Sequence, residues 1–179
     1  TNTAIENGIA DIEVQFRYPV EFEVERLIRD QKVKANASAE AVKYYKKICA
    51  ITKTAVKGCE TKKEKVRAIN KYMIRNYAYD YQYRQASYSF TGLLDHKKAV
   101  CQGFAQLFRL MGLQAGIETE CIGGMATSGP GKTDFETHMW NRSKIDGKWY
   151  YTDVTYNEGT GTNKFLLLSK KNFYGKGYH

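Results

Sequence analysis

The sequence predicts one domain that mixes helices with a β-hairpin, and three observations carry that prediction. Phe104, Leu107, Phe108 and Met111 fall at offsets 0, 3, 4 and 7, the spacing of one buried helix face. Two β-prone runs, 138–145 and 148–155, are joined by Asp146-Gly147, the strongest short-range hairpin signal a sequence carries. The chain has 179 residues, the length of one domain and enough to bury a core without covalent staples.

From the start of the chain, residues 11–24 alternate apolar and polar, with Ile12, Val14 and Phe16 on one side and Pro19 as an interruption. This predicts an N-terminal extended arm or strand pair within residues 1–35, with 36–179 as the main body of one compact domain. Asn36-Ala37-Ser38 offers caps for a helix over about 39–57, with Tyr44, Ile48, Ile51 and Ala55 as its stripe and Gly58 beyond its end. Thr61 and Glu64 form a capping-box pattern, opening a second helix that turns Val66, Ile69 and Met73 inward and runs to about Tyr77. The tyrosine-rich stretch 77–90 has no clean period and is expected to be a loop leading into Cys101.

The helix that follows begins at Cys101 and stops at Gly116. Residues 117–123 alternate as a strand, Gly123-Gly124 and 127–131 mark a flexible crossing, and Lys164–Ser169 is expected to be a final central strand. If Asp146-Gly147 is a two-residue turn, residues pair across the hairpin as Ile145 with Lys148, Trp140 with Asp153 and His138 with Thr155. His138 and Asp153 then share a face as diagonal neighbours, roughly 7–8 Å apart at the backbone, within reach of a hydrogen bond. The Cys101 sulfur is expected beside the imidazole, on the side away from Asp153.

Composition narrows the function classes. Lys and Arg number 28 against 19 Asp and Glu, a net charge of +9. Such a charge favours acidic partners, but the basic residues are dispersed and accompany no nucleic-acid-binding motif, so a solvated surface is the better reading. No apolar run is long enough to span a membrane. The first residue, Thr1, is not an initiator methionine, which is compatible with a secreted or cell-surface protein after leader removal; the compartment stays open. Four cysteines, at 49, 59, 101 and 121, show no CxxC or Cys/His ligand spacing, so no zinc or other metal site is expected. If the helix ran unbroken between Cys49 and Cys59, ten residues would separate them by ~15 Å, too far for a disulfide, and free thiols are expected. Asn36-Ala37-Ser38 and Asn141-Arg142-Ser143 match the glycosylation sequon.

Cys101 sits where a helix begins, beside unpaired N–H groups and the positive end of the dipole, a setting that favours a thiolate. His138 and Asp153 follow it by 37 and then 15 residues. A thiol, an imidazole to activate it and an acid to orient the imidazole are what covalent cysteine catalysis needs.

These residues resemble a family. Ala99-Val-Cys-Gln-Gly-Phe-Ala105, the Gly116-Ile117 pair, His138-Met-Trp-Asn141, and Asp146-Gly-Lys-Trp149 through Asp153-Val-Thr155 look like the transglutaminase-like domain of the papain-like cysteine enzymes. The resemblance covers roughly 61–170 and implies an α+β fold, with a papain-like core within 36–179 in which the nucleophile helix packs on an antiparallel β-sheet. It implies Cys101 as nucleophile, His138 as general base then acid, and Asp153 as the residue that orients it. The oxyanion would be met by the Cys101 N–H and a donor from the upstream loop, with Tyr88 as candidate and Gln102 next. Trp140, on the His138 face, is a further substrate-contact candidate. No cofactor is called for, and no EF-hand loop suggests calcium control. The expected substrate is a protein or peptide amide, attacked through a thioester that ends in hydrolysis, deamidation or transfer to an amine. The alternative is a binding or adaptor module that keeps the fold without turnover.

Overall fold

The computed structural model describes residues 5–6, 9–10, 18–127 and 133–179. Strands β1 (Ile5–Glu6) and β2 (Ile9–Ala10) pair antiparallel at the N-terminus. Helix α1 (Val20–Arg29) follows directly on Pro19. Here the extended reading of residues 20–24 is corrected. Val20, Phe22 and Val24 fit a period of two, but burial chooses the helical period: Val24 and Leu27 are in the core while Phe22 is 44 % exposed. Pro19 has the fixed φ that suits a helix entry, and Glu21 and Glu23 in the first turn face the positive end of the dipole. The rest of the predicted arm, 11–17, lies outside the described residues.

Helix α2 (Ala39–Ala55) is capped by the Ser38 side chain and buries Ala41, Tyr44, Ile48 and Thr52. Helix α3 (Lys62–Asn76) opens with the reciprocal capping box between Thr61 and Glu64. Strand β3 (Ala78–Tyr79) lies parallel to β4 (Lys98–Ala99), with helix α4 (Phe90–His96) between them in sequence. The 77–90 stretch therefore carries short ordered elements where a plain loop was expected.

Helix α5 (Cys101–Gln114) is the hub. It touches α1, α2, α3, α4 and the sheet, and it buries Phe104, Leu107, Phe108, Leu110 and Met111. A helix apolar on so many sides must be covered on all of them. On the α1 side Arg109 reaches Glu25 at 2.7 Å and Glu21 at 3.6 Å. On the sheet side Gly112 lies so close to Thr119 that a Cβ would come within 2.4 Å of its hydroxyl. Gly116, at φ +79°, ends the helix as expected.

The sheet contains β5 (Thr119–Thr127), β6 (Phe135–Ile145) and β7 (Lys148–Thr152) in that order, antiparallel throughout. Asp146 and Gly147 have φ of 50° and 76°, as a two-residue I′ turn requires. The expected register holds from Ile145–Lys148 to Asn141–Thr152. Beyond that the chain departs: Asp153 caps helix α6 (Val154–Thr160), so Trp140–Asp153 and His138–Thr155 are not ladder pairs.

Two further expectations are corrected. Gly123 and Gly124 sit inside β5, not in a crossing; Gly124 pairs with His138, and its bare Cα admits Trp140 and the His179 carbonyl. Lys164–Ser169 is not a strand. Left-handed Leu167 (φ 54°) breaks the run, leaving one bridge between Tyr151 and Leu168 and a Phe165 carbonyl that accepts from Asp153 N–H.

The sheet is buried on both faces. Asn141, Ser143 and Ile145 turn towards the helices, where Asn141 Nδ2 donates to the Ala105 carbonyl of α5 at 3.0 Å. His138 and Trp140 turn the other way, into a second cluster closed by Phe165, Phe173 of α7 (Lys170–Tyr174) and Tyr178. The last residues are stitched to the β5 edge, with His179 and Met125 exchanging both backbone hydrogen bonds. No described helix is long and apolar enough to cross a membrane.

Candidate functional site

The segment before α5 is held by a buried carboxylate. Asp80 accepts from Arg84 Nε and Nη2, both at 3.1 Å, from the Ser87 hydroxyl and from the Gln82 N–H. The Arg84 guanidinium, with the Ser87 hydroxyl, holds this carboxyl well below the usual range. Ser87 in turn accepts from the Val100 N–H at 2.9 Å. The turn Gln85–Tyr88 is thereby fixed against the residue preceding Cys101. Gly103 lets them approach: a Cβ there would meet the Ser89 carbonyl at 2.7 Å and the Ala99 Cβ at 2.6 Å.

Cys101 is the first residue of α5, half-buried, with a free thiol. Val100, at the N-cap, has no side chain that can cap, so the first-turn N–H groups are open to whatever lies before them.

His138 is 7 % exposed and lies where β6 passes the start of α5. Its Nε2 is 2.7 Å from Asp153 Oδ2, which leaves Nδ1 as the ring nitrogen not taken by the carboxylate, and Cys101 is close enough to help raise the imidazole's pKa. Burial works against a charged imidazole, but Asp153 outweighs it, and the His138 pKa is pushed up to about 10. The fold thus brings Cys101 and His138 to one hollow and sets Asp153 against the imidazole.

Asp153 is fully buried and fully used. Oδ1 accepts from the Tyr156 N–H at 2.9 Å and caps α6, while Oδ2 takes His138 and also the Tyr178 hydroxyl, at 2.8 Å. Tyr156 stacks on the imidazole with ring centres 4.6 Å apart. Tyr156 directly follows the Asp153-Val-Thr155 motif, and Asp153 as a helix cap is the signal that could have found it; Tyr178, 25 residues beyond Asp153, has no such signal. Folding alone brings Tyr178 back to Asp153.

Two adjoining hollows open over the thiol and imidazole. The first, about 300 Å³, is lined by Tyr79, Tyr83, Tyr88, Cys101, Gln102 and Glu136, among others. The second, about 420 Å³, extends past His138 to Thr155, Tyr156, Glu158 and Phe165. Tyr88 and Gln102, the candidate donors, thus both line the hollow that Cys101 lines. Trp140 does not. It is buried in the second core cluster, lines neither hollow, and contributes packing behind His138. Cys121, on β5, is a different kind of thiol: burial, with the Glu21 carboxylate near it, pushes it up to about 12.

The sequence model described as the transglutaminase-like superfamily matches residues 50–154. The chain belongs to the transglutaminase-like superfamily. Among curated proteins it is similar to kyphoscoliosis peptidase of Mus musculus, 26 % identical over 153 residues, which is 79 % of this chain and 23 % of that protein. The chain thus spans about a quarter of the curated relative's length. Among solved structures it resembles a TGase, at TM-score 0.57 and 18 % identity over 67 % of this chain and 34 % of that one. It also resembles a candidate cysteine protease from Cytophaga hutchinsonii, at TM-score 0.51 and 20 % identity over 62 % of this chain and 37 % of that one. These likenesses bear on fold. The transglutaminase-like match includes Cys101, His138 and Asp153 and stops short of Tyr178.

Proposed function

We propose that this transglutaminase-like domain is a cysteine-dependent acyl-transfer enzyme acting on protein or peptide amides. What supports the reading is a single arrangement: a buried imidazole held by a carboxylate on Nε2 and lining one hollow with a thiol. His138 holds the shared proton as an imidazolium before attack, and Cys101 Sγ adds to the amide carbonyl. Negative charge gathers on the carbonyl oxygen, before the uncapped N–H groups of α5, with Tyr88 or Gln102 as side-chain donor. The imidazolium returns its proton to the departing nitrogen, which leaves as an amine or ammonia, and a thioester remains on Cys101. Water or an amine, deprotonated by His138, then attacks the thioester and frees the thiol. Asp153 stays ionised throughout, fixing the tautomer and balancing the imidazolium.

Incubation with a glutamine-containing protein, with and without a labelled amine, followed by mass spectrometry, tests this. Label incorporation means transfer, a gain of about one mass unit means deamidation, and chain cleavage means proteolysis. Whichever occurs, Cys101→Ala and His138→Ala should each abolish it. Turnover that survives either substitution sinks the mechanism, and peptide binding without any turnover by the unaltered protein would leave an adaptor.

A further inference from the structure

The second hollow bears a chemistry that the acyl-transfer scheme does not use. Tyr79, Tyr81, Tyr83, Tyr156 and Phe165 give it aromatic walls, and Glu136 and Glu158 supply carboxylates. Among the described residues no lysine or arginine lines either hollow, on a protein of net charge +9. Among those same residues, the Arg84 guanidinium grips Asp80, and the Lys176 ammonium lies 5.4 Å from the ring centre of the wall residue Phe165 without itself lining the hollow.

The carboxylates are not an accidental surface cluster. Glu158 sits half-buried at the end of α6, where burial raises its carboxyl and the nearby Tyr79 backbone N–H partly offsets that. Glu158 and Tyr79 thus adjoin one another in the lining of the hollow. Glu136 is close enough to Tyr79 and Tyr156 to raise both phenols. Tyr79 and Tyr81 rings stand 5.0 Å apart at 59°, and Tyr79 and Tyr83 stand 6.4 Å apart edge to face. Tyr81 and Tyr83 are largely exposed, at 76 % and 56 %. A second, independent sign of a missing ligand is Thr155. It lines the hollow, is 5 % exposed, and its hydroxyl has no hydrogen-bond partner among the described residues. Buried hydroxyls are normally paired.

Aromatic faces beside carboxylates bind a cation by ring quadrupole and Coulomb attraction together. The volume, about 420 Å³, lies in the range of ligand sites. We infer that this hollow is a subsite for a lysine or arginine side chain of the acyl-donor peptide, held between the Tyr79–Tyr81–Tyr83 wall and the Glu136 and Glu158 carboxylates. The inference rests on Cys101 being the acyl acceptor, since it places the basic residue next to the amide under attack. The cleft therefore selects against the acidic partners that overall charge would favour.

The test separates this from the catalytic reading by measuring binding to Cys101→Ala, which cannot turn over. Fluorescein-labelled peptides carrying glutamine among glycines, with lysine, norleucine or glutamate on one side or the other, are titrated against it. The lysine peptide of one register should bind about tenfold tighter than its norleucine counterpart, about 1.4 kcal/mol, and the glutamate peptide weaker than either. Glu158→Gln keeps a side-chain oxygen near the Tyr79 N–H, and Glu136→Gln alters an exposed residue, so both should fold. Each should reduce the lysine preference, and the pair should remove it. Equal binding of lysine and norleucine peptides in both registers overturns the inference, as does a preference that survives both substitutions. A free alkylamine that binds in a Glu158-dependent way while the peptides do not discriminate also overturns it, in favour of an acceptor-amine site. A lysine preference in a protein inactive with every peptide would retire the catalytic reading and keep a cation site.

Discussion

At the scale of the residue, Asp153 carries the most consequence. Its two oxygens accept from three donors: the Tyr156 N–H, the His138 ring and the Tyr178 hydroxyl. An asparagine must turn its NH₂ towards one of these donors, whichever way it is set. Asp153→Asn should therefore cost about 1–3 kcal/mol of stability as well as most of the activity. It should also change the pH dependence. Because the folded His138 titrates near 10 and an unfolded histidine near 6.5, the folded state holds a proton that the unfolded chain releases between those values. The contribution is complete below about pH 6.5 and is lost as pH rises towards 10. Denaturant midpoints of the unaltered protein should fall across that window, and Asp153→Asn should flatten the slope. An unchanged slope would mean that Asp153 does not set the imidazole's charge.

At the scale of the element, what was legible in the sequence was what neighbours decide. The hairpin register follows from two residues, Asp146 and Gly147, whose backbone angles leave little choice. The α5 face follows from four apolar side chains at helical spacing. Cys101, His138 and Asp153 were legible because their motifs are short and local. Residues 20–24 were misread because three apolar positions fit both periods, and the arbiters, Leu27 and the exposure of Phe22, depend on where α5 lies. Lys164–Ser169 looked central by composition, but its pairing is set by how β7 ends at Asp153. Tyr178 and Glu158 act on the site only through long-range packing, and no pattern in the chain announces such a meeting.

The close approach of α5 to the 85–89 segment gives a paired test at the same scale. Gly103→Ala would force a Cβ against backbone oxygens of Ser87 and Ser89, atoms that cannot rotate away. It should destabilise by about 1–3 kcal/mol and lower turnover by displacing Cys101. Gly123→Ala, on β5 with nothing within 4 Å of the new Cβ, should change stability by well under 1 kcal/mol. Thermal melts of the two variants decide it: equal midpoints would show that the approach is not tight.

At the scale of the whole molecule, the site is assembled from the start of one helix, the middle of a strand, the end of a hairpin and the last turn of chain. Tyr178 carries that last contribution. Tyr178→Phe keeps the ring stacked on Phe173, at 3.9 Å, and removes one hydroxyl from Asp153. Losing a buried hydrogen bond to a charged group should cost about 1.5–3 kcal/mol. It also leaves the carboxylate a stronger partner for the imidazolium, so the alkaline limb of the activity profile should move to higher pH. A profile that does not move would confine Tyr178 to packing. The sheet's two buried faces bear on biosynthesis as well. Asn141 belongs to a glycosylation sequon, yet in the folded protein it is wholly enclosed and donates to α5. A sugar tree cannot be fitted at that position without prising helix from sheet. In a secretory lumen, then, oligosaccharide transfer and closure of this layer would be rivals in time, with each attached glycan marking a molecule that lost the race.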